Sequence, residues 1–266
     1  MTYFGFLLRF IGIPLLILAA LTLWDRHKGR RLPDDLRKQP AWLALLAHVI
    51  AAVVWTTPWD NYLVATGVWY YDPNLVTGIT LGWVPIEEYT FFVVQTLMTG
   101  LWLFWIGRRL RPVPLPIPLR PRLRRNATFV AVGIWLACVV PWLAGWEAGT
   151  YLGLEVGWLG LPIILQLAVG ADVLWHRRRL VAAALLPPFL YLSAADYLAI
   201  GSGTWTIDPA QTTGILLGGV LPIEEVVFFL LTNVLIVFGM VLLLGMDRSA
   251  LNEVIGRLRR SRPESA

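Results

Sequence analysis

Seven long apolar runs divide the chain, at roughly Phe4–Trp24, Ala41–Val64, Pro85–Ile106, Thr128–Trp146, Trp158–Trp175, Leu180–Ala199 and Pro222–Leu244. Each approaches the ~20 residues that a helix needs to cross the hydrocarbon of a bilayer. The pattern predicts an all-α integral membrane protein of about seven transmembrane helices. Only His176 to Arg179 separate the fifth run from the sixth, so these two form a tight hairpin. The first run is read as a helix and not as a cleavable leader. Its positive cluster follows the apolar stretch, and Ile17 to Trp24 offers no convincing small-residue cleavage site.

Charged positions gather between the runs, and they alternate. DRHKGRRLPDDLRK follows the first, RRLRPVPLPIPLRPRLRR the third, HRRR the fifth, and a tail containing RLRRSR the seventh. The segments 66–84, 147–157 and 201–221 contain neither Lys nor Arg. Positive loops stay on the cytoplasmic side, which places the amino terminus outside and the carboxyl terminus in the cytoplasm. Loop 107–125, with five prolines between Pro112 and Pro121, is expected to run extended along the membrane surface as a linker. A docking site for a partner is the other reading of that loop.

Composition agrees with this picture. Of 266 residues, 57% are hydrophobic and 15% charged, against about 25% charged in soluble domains. The net charge of +5 reports orientation and not a nucleic-acid partner, because the basic residues sit in short clusters between apolar runs. The single cysteine, Cys138, excludes an internal disulfide and a Cys-based metal site. It lies in an apolar stretch and reads as packing.

A second pattern is laid over the first. Asp60 to Gly82, DNYLVATGVWYYDPNLVTGITLG, matches Asp196 to Gly218, DYLAIGSGTWTIDPAQTTGILLG, at a spacing of 136 positions. Asp60 meets Asp196, Trp69 meets Trp205, Asp72-Pro73 meets Asp208-Pro209, and Thr77-Gly78-Ile79 meets Thr213-Gly214-Ile215. After a one-residue insertion, PIEEYTFF from Pro85 meets PIEEVVFF from Pro222. Trp24 and Trp175, at the basic ends of the first and fifth runs, correspond loosely. A duplicated three-helix unit explains these identities. The fourth helix then restores the same orientation to both copies, giving parallel repeats.

The duplicated acids are the candidate chemistry: Glu87, Glu88, Glu224 and Glu225, each pair at the start of an apolar helix. A carboxylate near the centre of a lipid-facing helix costs roughly 2.5–3.5 kcal/mol, so such groups are expected to face the bundle interior. Proline and acids also make a good helix start, but a cap needs one acid, and the whole Pro-Ile-Glu-Glu recurs. Neighbouring residues on a helix point about 100° apart, so at most one of each pair aims squarely inward. Glu87 shares a face with Phe91, Glu88 with Phe92 and Gln95, Glu224 with Phe228, and Glu225 with Phe229 and Thr232. A buried acid beside aromatic faces can protonate an apolar substrate and shelter the cation by cation–π attraction. Asp60 and Asp196 are candidate supporting groups. Asp72 and Asp208 stand between turn initiators and site residues, and Trp69 and Trp205 are candidate lining residues. The other tryptophans fit interfacial belts. His48 reads as packing rather than proton relay.

Other functions lose support. Lys28 and Lys38, the only lysines, lie in the first basic loop, so no helix offers a Schiff-base lysine. There is no GxGxxG turn for a dinucleotide, no aspartate-rich DxxxD pattern for magnesium-diphosphate chemistry, and no glycine-rich loop with Lys for ATP.

The duplicated PIEE with its Phe-Phe pair, the upstream Asp and the DP…TGI.LG segment resemble the small membrane lycopene cyclases of bacteria and archaea. In that family the two halves occur as separate subunits or as one fused chain, and this sequence resembles the fused form over nearly its whole length. The resemblance implies acid–base cyclisation of the ends of lycopene to β-ionone rings, giving β-carotene via γ-carotene without net redox change or flavin. The family's PxE(E/D) carboxylates map onto Glu87, Glu88, Glu224 and Glu225. Substrate contacts are then expected from Trp69, Tyr89, Phe91, Phe92, Gln95, Trp205, Phe228, Phe229, Thr232 and Asn233, with no metal and no other cofactor. The expected partners are the lipophilic carotenoid, the bilayer and other carotenoid enzymes, and the expected location is the cell membrane. Residues 1–110 form the first repeat, 111–156 the linker and connecting helix, 157–247 the second repeat and 248–266 a basic cytoplasmic tail. The second copy differs, with Val226-Val227 for Tyr89-Thr90 and Thr232-Asn233 for Gln95-Thr96, so unequal roles in one shared cavity are expected. A proton-coupled transporter and a non-catalytic membrane subunit are the alternatives.

Overall fold

The computed structural model describes residues 1–246; the basic tail expected over 248–266 lies outside the described residues. Seven helices are each long and apolar enough to cross a membrane. They are α1 (Tyr3–His27), α2 (Ala41–Ala65), α3 (Ile86–Gly107), α4 (Pro121–Leu143), α5 (Thr150–His176), α6 (Arg178–Gly201) and α7 (Ile223–Leu244). In α1 a single π turn occupies Leu8–Gly12, just before Pro14. The proline ring lacks an N–H and crowds the carbonyl four residues back, which loosens the ladder there.

Two boundaries correct the sequence reading. α4 starts at Pro121 and not near Thr128, so Arg122, Arg124 and Arg125 are helical and the extended part of the basic loop is shorter. Proline suits this first turn because its missing N–H would have no partner there. α5 starts at Thr150 and not at Trp158, with one 3-10 turn, Glu147–Gly149, before it. Glu155 and the nearby glycines lower the local hydropathy and hid two helical turns. Inside the bundle, however, Glu155 is fully buried.

The helices that carry the PIEE motifs are the innermost. Among the best 18 residues of each span, 56% are buried in α3 and 44% in α7, against 6% in α4, which sits at the periphery. α3 packs against α1, α2, α6 and α7, while α7 packs against α2, α3, α5 and α6. Large apolar side chains such as Leu16, Leu23, Phe129 and Leu143 are exposed on the outer surface of the bundle, as apolar surroundings demand.

At the basic end, buried acids hold the loops. Asp25 is bound by Arg30, Arg108 and Arg109, the last at 2.8 Å; Asp172 is bound by Arg124 at 2.7 Å, and Asp35 by Arg177.

At the acidic end, short strands cap the bundle. β1 (Trp69–Tyr71) pairs antiparallel with β4 (Trp205–Ile207), so the matched loops of the two halves hydrogen-bond to each other. Asp208 N–H extends this pair by donating to Val68 O at 2.8 Å. β2 (Thr80–Leu81) folds onto β3 (Val84–Pro85), and β5 (Leu216–Leu217) onto β6 (Leu221–Pro222). The one-residue insertion between the halves falls in the second hairpin. Gly82, at φ +69°, turns the first, and Asn61 Oδ1 accepts from Trp83 N–H at 2.8 Å.

Candidate active site

The two glutamates of each motif part company. Glu87 Oε1 accepts from the backbone N–H of Thr77 at 2.7 Å, and Glu224 Oε1 from that of Thr213 at 2.6 Å. The first acid of each pair thus anchors the Thr-Gly-Ile loop of its own half. The second acids turn about 100° away, into a shared pocket between α3 and α7 that neither Glu87 nor Glu224 lines.

In that pocket Glu88 accepts two phenol hydrogen bonds, from Tyr3 at 2.6 Å and Tyr71 at 2.8 Å. Glu225 accepts one from Tyr151 at 2.7 Å, and Asp196 lines the same pocket. Asp196 also accepts from Trp205 Nε1 at 3.0 Å. Asp60 is fully buried, and neither of its oxygens has a hydrogen-bond partner among the described residues. Burial, then the charge of Glu88, holds the Tyr71 phenol well above its ordinary pKa, so it stays an O–H donor.

Aromatic rings complete the walls: Trp59, Trp69, Phe91, Phe92, Phe228 and Phe229. The rings of Phe91 and Phe229 meet edge to face at 6.2 Å, and those of Phe228 and Phe229 at 5.1 Å. The pocket is small, about 40 Å³. Thr56, Phe92 and Phe228 also line a second cavity of about 200 Å³ further along the bundle, walled by α2, α3, α5 and α7. Across it Gln95 Nε2 donates to Thr232 Oγ1 at 3.0 Å.

The remaining expected site residues are placed as follows. Trp69, Trp205 and all four phenylalanines line the carboxylate pocket, while Gln95 and Thr232 line the second cavity. Asn233 lines neither; it is buried, accepts from Thr99 at 2.7 Å, and ties α7 to α3. Tyr89 is turned towards the β2–β3 hairpin, donating to Leu81 O and accepting from Asn61, each at 3.0 Å. Asp72 and Asp208 make turns, accepting from the N–H groups of Asn74 and Ala210 two residues on. His48 binds Ala44 O through Nδ1 at 2.7 Å and borders the second cavity.

Sequence reasoning missed Tyr3, Tyr71, Tyr151 and Glu155. A signal for two of the tyrosines was there: Thr2-Tyr3-x-Gly5…Gly12-x-Pro14 recurs as Thr150-Tyr151-x-Gly153…Gly160-x-Pro162, 148 positions later. The equivalence of α1 and α5 therefore runs at their acidic ends, three positions out of step with the pairing of Trp24 and Trp175. The two tyrosines play one part, each donating to the pocket glutamate of its half.

Four acids held against aromatic walls in a helical bundle are groups that can exchange protons with an apolar molecule. Comparison with known proteins gives such a bundle a family. The lycopene cyclase family profile matches residues 2–106 and 148–243, and the chain belongs to the lycopene cyclase family. It is 40% identical over 249 residues to a lycopene beta-cyclase of Halobacterium salinarum, covering 91% of this chain and 95% of the relative. Fungal proteins named bifunctional lycopene cyclase/phytoene synthase match as well. That of Sporisorium reilianum is 39% identical over 201 residues, or 73% of this chain and 29% of its own length. That of Podospora anserina is 36% identical over 198 residues, covering 72% and 33%. No solved structure matches.

Proposed function

We propose that Glu88 and Glu225 carry out the acid–base chemistry of a lycopene β-cyclase, with Asp60 and Asp196 supporting them. The protein is a lycopene cyclase by family and similarity, in preference to a transporter or a non-catalytic subunit. The observation that carries the site assignment is that one glutamate of each PIEE motif faces the same aromatic pocket while its neighbour is bound to backbone.

One carboxyl protonates the terminal double bond of lycopene, leaving a tertiary cation that the pocket rings stabilise. The neighbouring alkene attacks, a six-membered ring closes, and the second carboxyl takes a ring proton to give the β-ionone end. One proton enters and one leaves, so no electrons are transferred. The Phe-Phe pairs and Trp69 exclude the water that would capture the cation.

The second cavity suits the polyene arm behind the reacting end. Ala51, Ala52 and Trp55 of α2 face Leu159, Pro162 and Gln166 of α5 across it. Trp158 Nε1 donates to Trp55 O at 2.8 Å, joining the two helices beside the second cavity. We read the α2–α5 cleft as the passage from the bilayer. Further parts of the same reading are two parallel three-helix repeats joined by α4, the first over 1–110 and the second beginning at the head of α5, at Thr150 and not at 157, and the acidic end outside with the basic end cytoplasmic. Residence in the cell membrane and contact with other carotenoid enzymes belong to it too.

Expression in lycopene-accumulating cells, followed by pigment chromatography, tests the function. Cyclic carotenoid is expected from the wild type and none from Glu88→Gln or Glu225→Gln. Undiminished cyclisation by both variants would refute the assignment.

A further inference from the structure

At the basic end the two halves differ in one connection. In the second half Arg177 alone joins α5 to α6, and it is bound to Asp35. In the first half residues 28–40 run from α1 to α2, with one 3-10 turn, Asp34–Leu36, whose Asp35 and Leu36 are buried. That turn pins the loop to the bundle. Beside it, where the ends of α1, α2 and α3 come together, lies a cavity of about 710 Å³.

Five arginines line this cavity: Arg26 of α1, Arg30, Arg31 and Arg37 of the loop, and Arg108 just past α3. No acid lines it. Asp25 binds Arg30 and Arg108, and Asp34 binds Arg37 at 2.9 Å. Arg26 and Arg31 have no ion pair and no side-chain hydrogen bond among the described residues. Two guanidinium groups therefore stand at the cavity wall without a counter-charge. Thr22 lies one helical turn before Arg26 and lines the cavity too; its hydroxyl is buried and has no hydrogen-bond partner among the described residues. A buried polar group of that kind calls for an explanation. The rest of the wall is apolar, with Leu45, Leu101 and Phe104, and Trp42 adds an exposed indole.

We propose that this cavity binds one anionic phospholipid, its phosphate held by Arg26 and Arg31 and the head of an acyl chain laid against Leu45, Leu101 and Phe104. The inference rests on the seven helices spanning a bilayer and is independent of the cyclase chemistry. The ends of such helices lie at the level of the headgroups, where tryptophan is favoured. The guanidinium fork matches phosphate oxygens two at a time, and basic pockets between helices take lipid headgroups. The Thr22 hydroxyl gains an oxygen to donate to. A free phosphate would satisfy the arginines and leave the apolar wall bare, so the whole lining fits a lipid. The volume lies within the ~300–1,000 Å³ of ligand pockets.

The test uses the full chain in a neutral detergent, titrated with phosphatidylglycerol or phosphatidylcholine, with bound lipid counted by native mass spectrometry. The wild type is expected to retain one phosphatidylglycerol at least about tenfold more tightly than phosphatidylcholine. In the double variant Arg26→Gln/Arg31→Gln that affinity should fall about tenfold or more, since each basic group near an anionic lipid is worth roughly fivefold. The control Arg122→Gln/Arg125→Gln removes the same charge from the basic end of α4, outside the cavity, and should change it less than about twofold. Arg26→Lys/Arg31→Lys keeps the charge without the fork and should fall between wild type and the Gln variant. If the double Gln variant misfolds, Arg31→Gln alone carries the test, with a loss of about fivefold. Equal losses in the cavity and α4 variants would overturn the proposal, as would equal retention of the two lipids. Displacement of the lipid by millimolar inorganic phosphate would overturn it as well, by showing a site for the free anion.

Discussion

The hydroxyl of Tyr3, in the first turn of α1, donates to Glu88 Oε2 across 2.6 Å. This contact ties the beginning of the chain to the head of α3 and supplies one of the two phenols that orient the carboxylate. Tyr71, from β1, supplies the other.

Removing one phenol leaves the carboxylate with one donor in a dry pocket. A hydrogen bond to a charged group is worth about 1.5–3 kcal/mol, so Tyr3→Phe and Tyr71→Phe are each expected to lower kcat by about tenfold or more. The double variant should lose more than either. Initial rates of cyclic product in vesicles measure this, and unchanged rates in both single variants would contradict the role given to the phenols.

The two acids of one motif should respond differently to the same change. Glu88→Gln cannot exchange a proton and should cost at least about a hundredfold in rate. Glu87→Gln keeps an oxygen that can accept from Thr77 N–H and should retain most activity. Glu87→Ala, which leaves that N–H without its partner, should lower the thermal midpoint. Equal losses in Glu87→Gln and Glu88→Gln would show that the division within the motif is wrong.

Filling the α2–α5 cleft should hinder the polyene and spare the carboxyls. Ala52→Trp places an indole in the second cavity and is expected to raise KM for lycopene well above any change in folding. Quantifying pigment at several substrate loadings separates these effects. Normal KM in a well-folded variant would remove the cleft from the substrate's path.

Gly82 carries the hairpin that leads into the first motif. A Cβ there would lie 2.2 Å from Asn61 Oδ1, and the backbone is at φ +69°. Left-handed geometry costs roughly 1–2 kcal/mol for a residue with a side chain, so Gly82→Ala is expected to lower thermal stability. Scanning unfolding in detergent would show it; a midpoint equal to the wild type would mean the turn relaxes freely.

The sequence by itself determined the seven helices, because a span of the required length is written directly as apolar residues. The matched segments were legible as well, since the Asp-Pro turns and the tryptophans recur 136 positions on and PIEE 137 positions on. With the repeat came the four glutamates and the family resemblance. Helix starts were less legible where polarity is local: Glu155 made the head of α5 look like a loop, although the bundle buries it.

Only the tertiary structure decided which glutamate of each pair faces the pocket. The local sequence of PIEE is the same in either outcome, and the rotation of α3 and α7 is set by the helices packed around them. Nor did spacing along the chain disclose that Tyr3 meets Glu88 or that Tyr151 meets Glu225. Those relationships join residues far apart in sequence and exist only once the helices are side by side. Close packing without water then leaves each carboxyl only the partners that its neighbours provide.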